Sequence, residues 1–536
     1  MRRAGLAICA LVPGAFALSS VSPAAAQNSG DAMAPALKCE RLTDLKIPDS
    51  TIVITKAEAV PDTPPNTMLV RPGRPDKVAV AVPSFCRAEG VIDQRVGVDD
   101  KPYAIGFAIA LPDRWNGRFL FQGGGGLNGV VRPPIGTQAA GDVPGLARGF
   151  AVISNDSGHQ SSVEFDPSFT KDQEAALNFA SASVGKVTTA AKAIIAAYYG
   201  QPVKRSYFAG CSTGGREGML AATRYSSEFD GVVAGDPAMR TGHSNLGLAW
   251  ANVAFNTIAP KDDAGKPDPT KVFSASDRKL ITSAILDACD GADGLKDGLI
   301  FDLKACRFDP AVLACSAGKT ESCLSPQQVG VLKKAFAGPT NARGIQVYPA
   351  FPWDSGIASE GVAIPGIVVT GAKSPVAPPT RESIDVDQMV DAIAADGARH
   401  LSDTATWTNL SSFFGHGGKL VFYHGWSDPW FSPLDTLDYY QRMAEANGGL
   451  EQVRATSSRF FAVPGMGHCS SGAALDQFDL LTAVVDWVEK GKAPDQVVAT
   501  GPAFPGRSRP LCAWPRHAHY KGQGNPDDAA NFECRE

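Results

Sequence analysis

Short apolar runs bounded by glycine, proline and charged residues recur in two separate parts of this chain. Residues 103–111 (Tyr-Ala-Ile-Gly-Phe-Ala-Ile-Ala-Leu), 118–122 (Arg-Phe-Leu-Phe-Gln) and 150–154 (Phe-Ala-Val-Ile-Ser) each predict a strand. An alanine-rich stretch over 175–199 predicts a long helix, stopped by Gly200 and Pro202. A strand at 206–210, a helix at 215–225 and a strand at 231–234 follow. Strand and helix in alternation predict a parallel sheet covered on both faces. The rhythm breaks after Pro237 and resumes with strands at 419–424 and 458–463 and a helix at 478–490. Between them, residues 240–410 are rich in Gly, Pro, Asp and Ser, with helices predicted at 274–288 and 386–394. A structureless loop of that length does not belong inside a compact domain, so an inserted domain is expected. Residues 27–70 are polar and proline-bearing and predict an irregular lead-in.

Composition adds little to that picture. The chain has 536 residues, 44% hydrophobic and 20% charged, which is ordinary globular content and enough for one large domain plus a second. A net charge of −5 with no basic run gives no sign of a nucleic-acid partner. The N-terminus changes more. Arg2 and Arg3, an apolar stretch over 4–18 and Ala24-Ala25-Ala26 read as a secretory signal over 1–26. The apolar stretch is short for a membrane span, and no later run reaches that length, so the mature protein is expected to be soluble, secreted or periplasmic, with no membrane partner. Of 11 cysteines, Cys9 leaves with the signal. An even number in an exported chain reads as a disulfide framework. Spacing does not fix connectivity; near neighbours favour Cys289–Cys306, Cys315–Cys323 and Cys512–Cys534.

Chemistry enters at Gly210-Cys211-Ser212-Thr213-Gly214, a G-x-S-x-G turn between a predicted strand and a predicted helix. Small flanking residues let the turn expose the serine hydroxyl, and the following helix points backbone donors at a developing oxyanion. Asp428 follows the strand at 419–424, and His468 follows the strand at 458–463. The order Ser…Asp…His is that of α/β-hydrolases, and strand C-termini are where a parallel sheet places its ligands. Ser212 is therefore the expected nucleophile, His468 the base and Asp428 its orienting acid. His424 is a rival base and Asp236 a rival acid, since both also lie at strand ends. A bond between Cys211 and Cys469 would draw Ser212 and His468 together. The glycines 123–126 follow the strand at 118–122 with no phosphate-loop or dinucleotide fingerprint, and read as the other half of an oxyanion hole. Gly126 and Thr213 are the expected backbone donors. Trp430 and Phe431, just beyond Asp428, are candidates for the wall of an aromatic pocket or for sheet-edge packing.

A third constellation is Asp290-Gly-Ala-Asp293-Gly-Leu295-Lys-Asp297-Gly-Leu299. Closely spaced carboxylates with main-chain carbonyls of Leu295 and Leu299 suit Ca²⁺, and Cys289 with Cys306 would close the loop. A series of Asp-Gly turns is the competing reading.

Together these motifs resemble the tannase/feruloyl esterase family of α/β-hydrolases, which includes the mono(2-hydroxyethyl) terephthalate hydrolase branch. The resemblance rests on Gly-Cys-Ser212-Thr-Gly-Gly-Arg-Glu-Gly-Met, Tyr-His-Gly-Trp-Ser-Asp428, Val-Pro-Gly-Met-Gly-His468-Cys469, the Asp290–Leu299 loop and the C-terminal cysteine pair. It implies an α/β-hydrolase fold with a large lid inserted between nucleophile and acid. The expected organisation is 27–240 and 411–536 as catalytic domain and 241–410 as lid. It also implies the bridges Cys211–Cys469 and Cys39–Cys86 and a structural Ca²⁺ on Asp290, Asp293, Leu295, Asp297 and Leu299. Family substrates are small esters of phenolic acids, galloyl or hydroxycinnamoyl. One departure is Thr213, where the terephthalate branch carries glutamate. A peptidase or acyltransferase on the same triad, and a calcium-stabilised binding protein without catalysis, are the competing functions.

Overall fold

A computed structural model describes residues 32–70, 77–163, 165–359, 362–367 and 381–536. The expected signal over 1–26 lies outside these residues. The apolar runs become the centre of a nine-stranded sheet. Its strands are β1 (Val53–Val60), β2 (Phe85–Val96), β3 (Pro102–Pro112), β4 (Arg118–Gln122), β5 (Ala151–Asn155), β6 (Arg205–Cys211), β7 (Gly231–Gly235), β8 (Lys419–Gly425) and β9 (Ser458–Val463). They lie in the order β1-β2-β3-β5-β4-β6-β7-β8-β9. From β5 to β9 every pairing is parallel, as the strand–helix rhythm predicts. The β1, β2, β3 and β5 pairings are antiparallel, so the whole sheet is mixed.

Alternation along each strand explains why both faces are covered. Phe119 and Phe121 of β4 join one apolar cluster with Ile153, Phe208, Val232, Phe422 and Phe460, beneath the helices Ser183–Tyr199, Thr213–Thr223 and Pro433–Ala446. Leu120 joins the opposite cluster with Val152, Tyr207, Val233, Val421 and Phe461, beneath the helix Leu480–Lys490 and the C-terminal strands. A period of two with apolar residues at both parities buries a strand on both sides.

Three sequence expectations change. Residues 27–70 are not an irregular lead-in throughout: they contain β1, an edge strand whose mostly solvated positions leave no alternation to read. The helix expected at 175–199 is interrupted. Gln173–Leu177 is followed by a π turn over Asn178–Ala182 and then Ser183–Tyr199, ending at Gly200 in the left-handed region (φ 66°). Carbonyls of Phe179 and Ala180 in that wider turn accept from buried Arg216, at 2.9 and 2.8 Å. The helix expected at 215–225 starts at Thr213, which matters for the site.

β7 pairs directly with β8, and the described residues between them contribute no strand to the sheet. This segment packs around a cluster of its own, including Leu248, Phe255, Ile281, Ile285, Leu332, Phe336, Tyr348 and Phe351. Its helices start with complete caps. Ser274 opens Ala275–Cys289 and Ser325 opens Pro326–Ala337, each in a reciprocal capping box. All five expected disulfides form: Cys39–Cys86, Cys211–Cys469, Cys289–Cys306, Cys315–Cys323 and Cys512–Cys534. Among the described residues, no helix is long and apolar enough to cross a membrane.

Candidate active site

Ser212 sits between β6 and the helix Thr213–Thr223 with φ 64° and ψ −123°, a conformation L-residues rarely adopt. The turn is pinned on both sides: Ser212 N–H donates to Gly235 O at 3.0 Å, and Ser212 O accepts from Ala238 N–H at 3.0 Å. Its glycines are required by packing. A Cβ on Gly210 would lie 2.5 Å from Gly214 O, and one on Gly215 would lie 2.1 Å from Gly235 O.

Asp428 and His468 arrive on loops after β8 and β9. His468 Nδ1 pairs with Asp428 Oδ2 at 2.7 Å. The other oxygen, Oδ1, accepts the backbone N–H groups of Trp430 (2.8 Å) and Phe431 (3.2 Å), so the turn itself fixes the carboxylate. The Cys211–Cys469 bond joins the residue before the serine to the residue after the histidine, with a Cα–Cα distance of 6.0 Å. Among the described residues, no hydrogen bond joins Ser212 Oγ to His468; such bonds often tighten only when substrate is bound.

The rival residues lie behind the triad. His424 is fully buried, with Nε2 3.2 Å from Asp428 Oδ2 and 3.1 Å from Phe431 O, and Nδ1 2.9 Å from Thr436 Oγ1. Asp236, also fully buried, accepts Gly425 N–H at 3.0 Å and lies 3.7 Å from His424 Nε2. His468 Nδ1 bonds Asp428, and His424 and Asp236 form a second layer of charge beneath that pair. Burial pushes the Asp236 carboxyl up to about 6. Burial would raise Asp428 as well, but the facing His468 and the hydrogen bond from His424 hold it well below the usual carboxylate range. Burial would lower His468, yet the Asp428 carboxylate outweighs it and raises the imidazole above its ordinary value.

In the glycine run after β4, three of the four N–H groups already have acceptors. Gly123 N–H goes to Ala209 O (2.9 Å), Gly124 N–H to Glu217 Oε2 (2.8 Å) and Gly125 N–H to Asn128 Oδ1 (2.8 Å). Gly126 N–H has no acceptor among the described residues, and neither has Thr213 N–H at the start of its helix. Thr213 Oγ1 donates to Gly126 O and ties the two positions together. Glu217 is a residue the sequence reading did not single out. It is buried and bonds both Gly124 N–H and Asn128 Nδ2 (2.7 Å), bracing the glycine loop from below. The available signal was a charged Arg-Glu pair on an otherwise buried helix.

Phe431 lies edge-on to the His468 ring with centroids 5.1 Å apart. Trp430 instead stacks on Phe165 at 6.3 Å and packs against the cluster between β7 and β8. The acidic loop is closed by Cys289–Cys306, far from the triad in sequence. Asp290 Oδ2 accepts Gly298 N–H, Asp293 accepts Leu295 and Phe301 N–H, and Asp297 accepts Leu299 N–H and pairs with Arg509. Asp290 Oδ1 is buried without a partner. Burial raises Asp290, and pushes Asp293 up to about 7. The orphaned Asp290 oxygen is a hard donor of the kind a divalent cation takes, whereas Asp297 is already paired with Arg507 and Arg509.

Comparison with known proteins gives the chain's family. A sequence model of tannase and feruloyl esterase matches residues 86–390 and 373–535. The chain is 37% identical over 521 residues to mono(2-hydroxyethyl) terephthalate hydrolase of Piscinibacter sakaiensis, covering 85% of each chain. It is 31% identical over 416 residues to a probable feruloyl esterase B-2 of Aspergillus flavus, covering 73% of this chain and 76% of the relative. The crystal structure of feruloyl esterase B from Aspergillus oryzae superposes with a TM-score of 0.73 and 25% identity, covering 93% of this chain and 99% of the other. With its α/β-hydrolase sheet and these relatives, the chain belongs to the tannase and feruloyl esterase family of carboxylic ester hydrolases.

Proposed function

We propose that the protein is an exported serine esterase that hydrolyses esters of aromatic acids, of the feruloyl, hydroxycinnamoyl or galloyl type. The observation that carries this is the 2.7 Å His468–Asp428 bond on a loop covalently tied to the nucleophile turn. Ser212 Oγ attacks the ester carbonyl while His468 Nε2 takes its proton. Gly126 and Thr213 N–H groups hold the oxyanion. The carbonyl–alkoxy bond then breaks, and the alcohol leaves with the proton from His468. Water, deprotonated by His468, attacks the acyl-enzyme and releases the acid. Asp428 keeps the imidazole in the tautomer with Nδ1–H and stabilises its charged form. Phe431, against His468, supplies an apolar wall for an aromatic acyl group, and Trp430 stands beside it.

Five disulfides support an oxidising compartment, in keeping with the signal read at 1–26. Asp290, Asp293 and Asp297, with carbonyls of Leu295 and Leu299, would hold a Ca²⁺ that stabilises the segment between β7 and β8. The cation would neutralise buried carboxylates there and take no part at the triad.

A second reading, a terephthalate monoester as substrate, is favoured by the 37% identity to the terephthalate hydrolase. Thr213 in place of that branch's glutamate weighs against it. Hydrolysis of methyl ferulate, methyl gallate and mono(2-hydroxyethyl) terephthalate by wild type and Ser212→Ala separates the two. Turnover of one ester, lost in the variant, identifies the acyl group; turnover surviving in Ser212→Ala overturns the mechanism.

A further inference from the structure

The segment between β7 and β8 touches the catalytic loops at a second place besides Trp430, and there it does so through a buried carboxylate. Asp354 has no exposed surface. Its Oδ2 accepts from Ser427 Oγ at 2.7 Å and from Gly465 N–H at 2.7 Å. Ser427 immediately precedes Asp428, and Gly465 lies three residues before His468. One oxygen of the insertion thus bonds the loop that carries the acid and the loop that carries the base. The neighbouring chain continues the contact. Tyr348 Oη accepts Ser432 N–H at 3.0 Å, and Ser432 Oγ donates to Ala350 O at 2.6 Å. Residues 348–357 therefore grip the Asp428 turn on both sides, at Ser427 and at Ser432. The seat is tight: a Cβ on Gly356 would lie 2.1 Å from Gly465 O and 2.7 Å from Ser427 Oγ.

From this juxtaposition we infer that Asp354 is a positioning residue, through which the insertion sets the alignment of Asp428 with His468. The inference rests on the triad reading above. Disulfide Cys211–Cys469 anchors the histidine loop to the nucleophile, but no covalent bond anchors the acid loop. Among the described residues, Asp354 is the group that hydrogen-bonds both loops at once from outside the sheet. Its oxygen works as a shared acceptor. Both donors meet the one oxygen Oδ2, so what they require is a shared acceptor. An amide in the same rotamer can offer its oxygen to both donors.

The test compares Asp354→Ala, Asp354→Asn, Ser427→Ala and Ser212→Ala in the full-length protein, with folding checked by melting temperature. Steady-state kinetics use whichever ester the wild type hydrolyses. Asp354→Ala is expected to lower kcat about 100-fold, as a misalignment of the order of 1 Å can, with KM within about threefold. Asp354→Asn should recover kcat to within about fivefold of wild type, because the acceptor is restored. If Asp354→Ala fails to fold, Ser427→Ala removes one of the two donors and should lower kcat about tenfold at unchanged KM. A folded Asp354→Ala, or Ser427→Ala, with wild-type kcat overturns the inference. So does an Asp354→Asn variant as impaired as Asp354→Ala, or a variant that raises KM alone. Activity in Ser212→Ala would instead sink the triad reading and leave Asp354 with nothing to position.

Discussion

The sheet region and the segment between β7 and β8 are held together by closures of opposite reach. In the sheet region the decisive bonds join residues far apart in sequence. Cys211–Cys469 spans 258 residues, Arg118 pairs with Glu489 across 371, and Asp236 accepts Gly425 N–H across 189. In the segment, Cys289–Cys306 and Cys315–Cys323 span 17 and 8, and the two capping boxes each bond across one helical turn. Long closures cost more chain entropy to form, and they are what bring three distant strand ends to one place. The difference teaches that the candidate site is assembled by the long closures, while the segment organises itself locally and then leans on the Asp428 loop.

The largest effects test the long-range side of that contrast. Ser212→Ala should reduce kcat about 10⁶-fold on any ester the protein turns over, measured against the uncatalysed rate. Asp428→Asn should lower kcat about 10⁴-fold, because the imidazole loses its orienting acceptor. Its pH profile carries a second signature. With the neutral imidazole as base, activity should fall as pH drops through the His468 pKa. Asp428 raises that pKa, so the acid limb of kcat/KM is expected above the ordinary imidazole value in wild type. It should move to lower pH in Asp428→Asn, and a limb that stays put would identify a different base.

Disulfide removal compares the two regions directly. By loop entropy, the Cys211–Cys469 bond contributes about 5 kcal/mol, against about 2.5 kcal/mol for Cys315–Cys323. The double variant Cys211→Ser with Cys469→Ser should melt far lower and lose kcat. Cys315→Ser with Cys323→Ser should melt slightly lower and keep kcat. Equal kcat in both would break the comparison. The smallest effect on turnover is expected from chelation. Removing Ca²⁺ with EGTA should lower the melting temperature by the equivalent of about 2–3 kcal/mol at a hundredfold excess over Kd, with the activity of the folded fraction retained. A melting curve indifferent to EGTA would return the Asp290–Leu299 loop to a set of structural turns.

The strands that carry the site were legible because their apolar residues face two cores. β4 and β9 have the expected limits, and Ser212, Asp428 and His468 stand at the expected strand ends. The missed elements are those whose burial follows no simple period. β1 is an edge strand with only Ile54 buried. The helix Thr241–Asn256 is buried on much of its surface and includes Asn252 and Asn256, whose amides donate to Gly366 O and Arg381 O. The Arg216-Glu217 pair marks only a buried charge and nothing local marks Asp354, since their partners lie 93 and 111 residues away.

What the sequence determined by itself was a set of chemical types in order: a glycine-flanked serine, an acid and a histidine after successive strands, and cysteines beside two of them. Those follow from local periodicity and turn chemistry, which a chain encodes within a few residues. Only the tertiary structure put Asp428 rather than Asp236 in hydrogen bond with His468, and left Gly126 N–H, alone of the four glycines, without an acceptor among the described residues. It alone brought the insertion's carboxylate onto both catalytic loops. Each of these choices depends on through-space distance and on which polar groups lose water together, and neither quantity exists until the strands have paired.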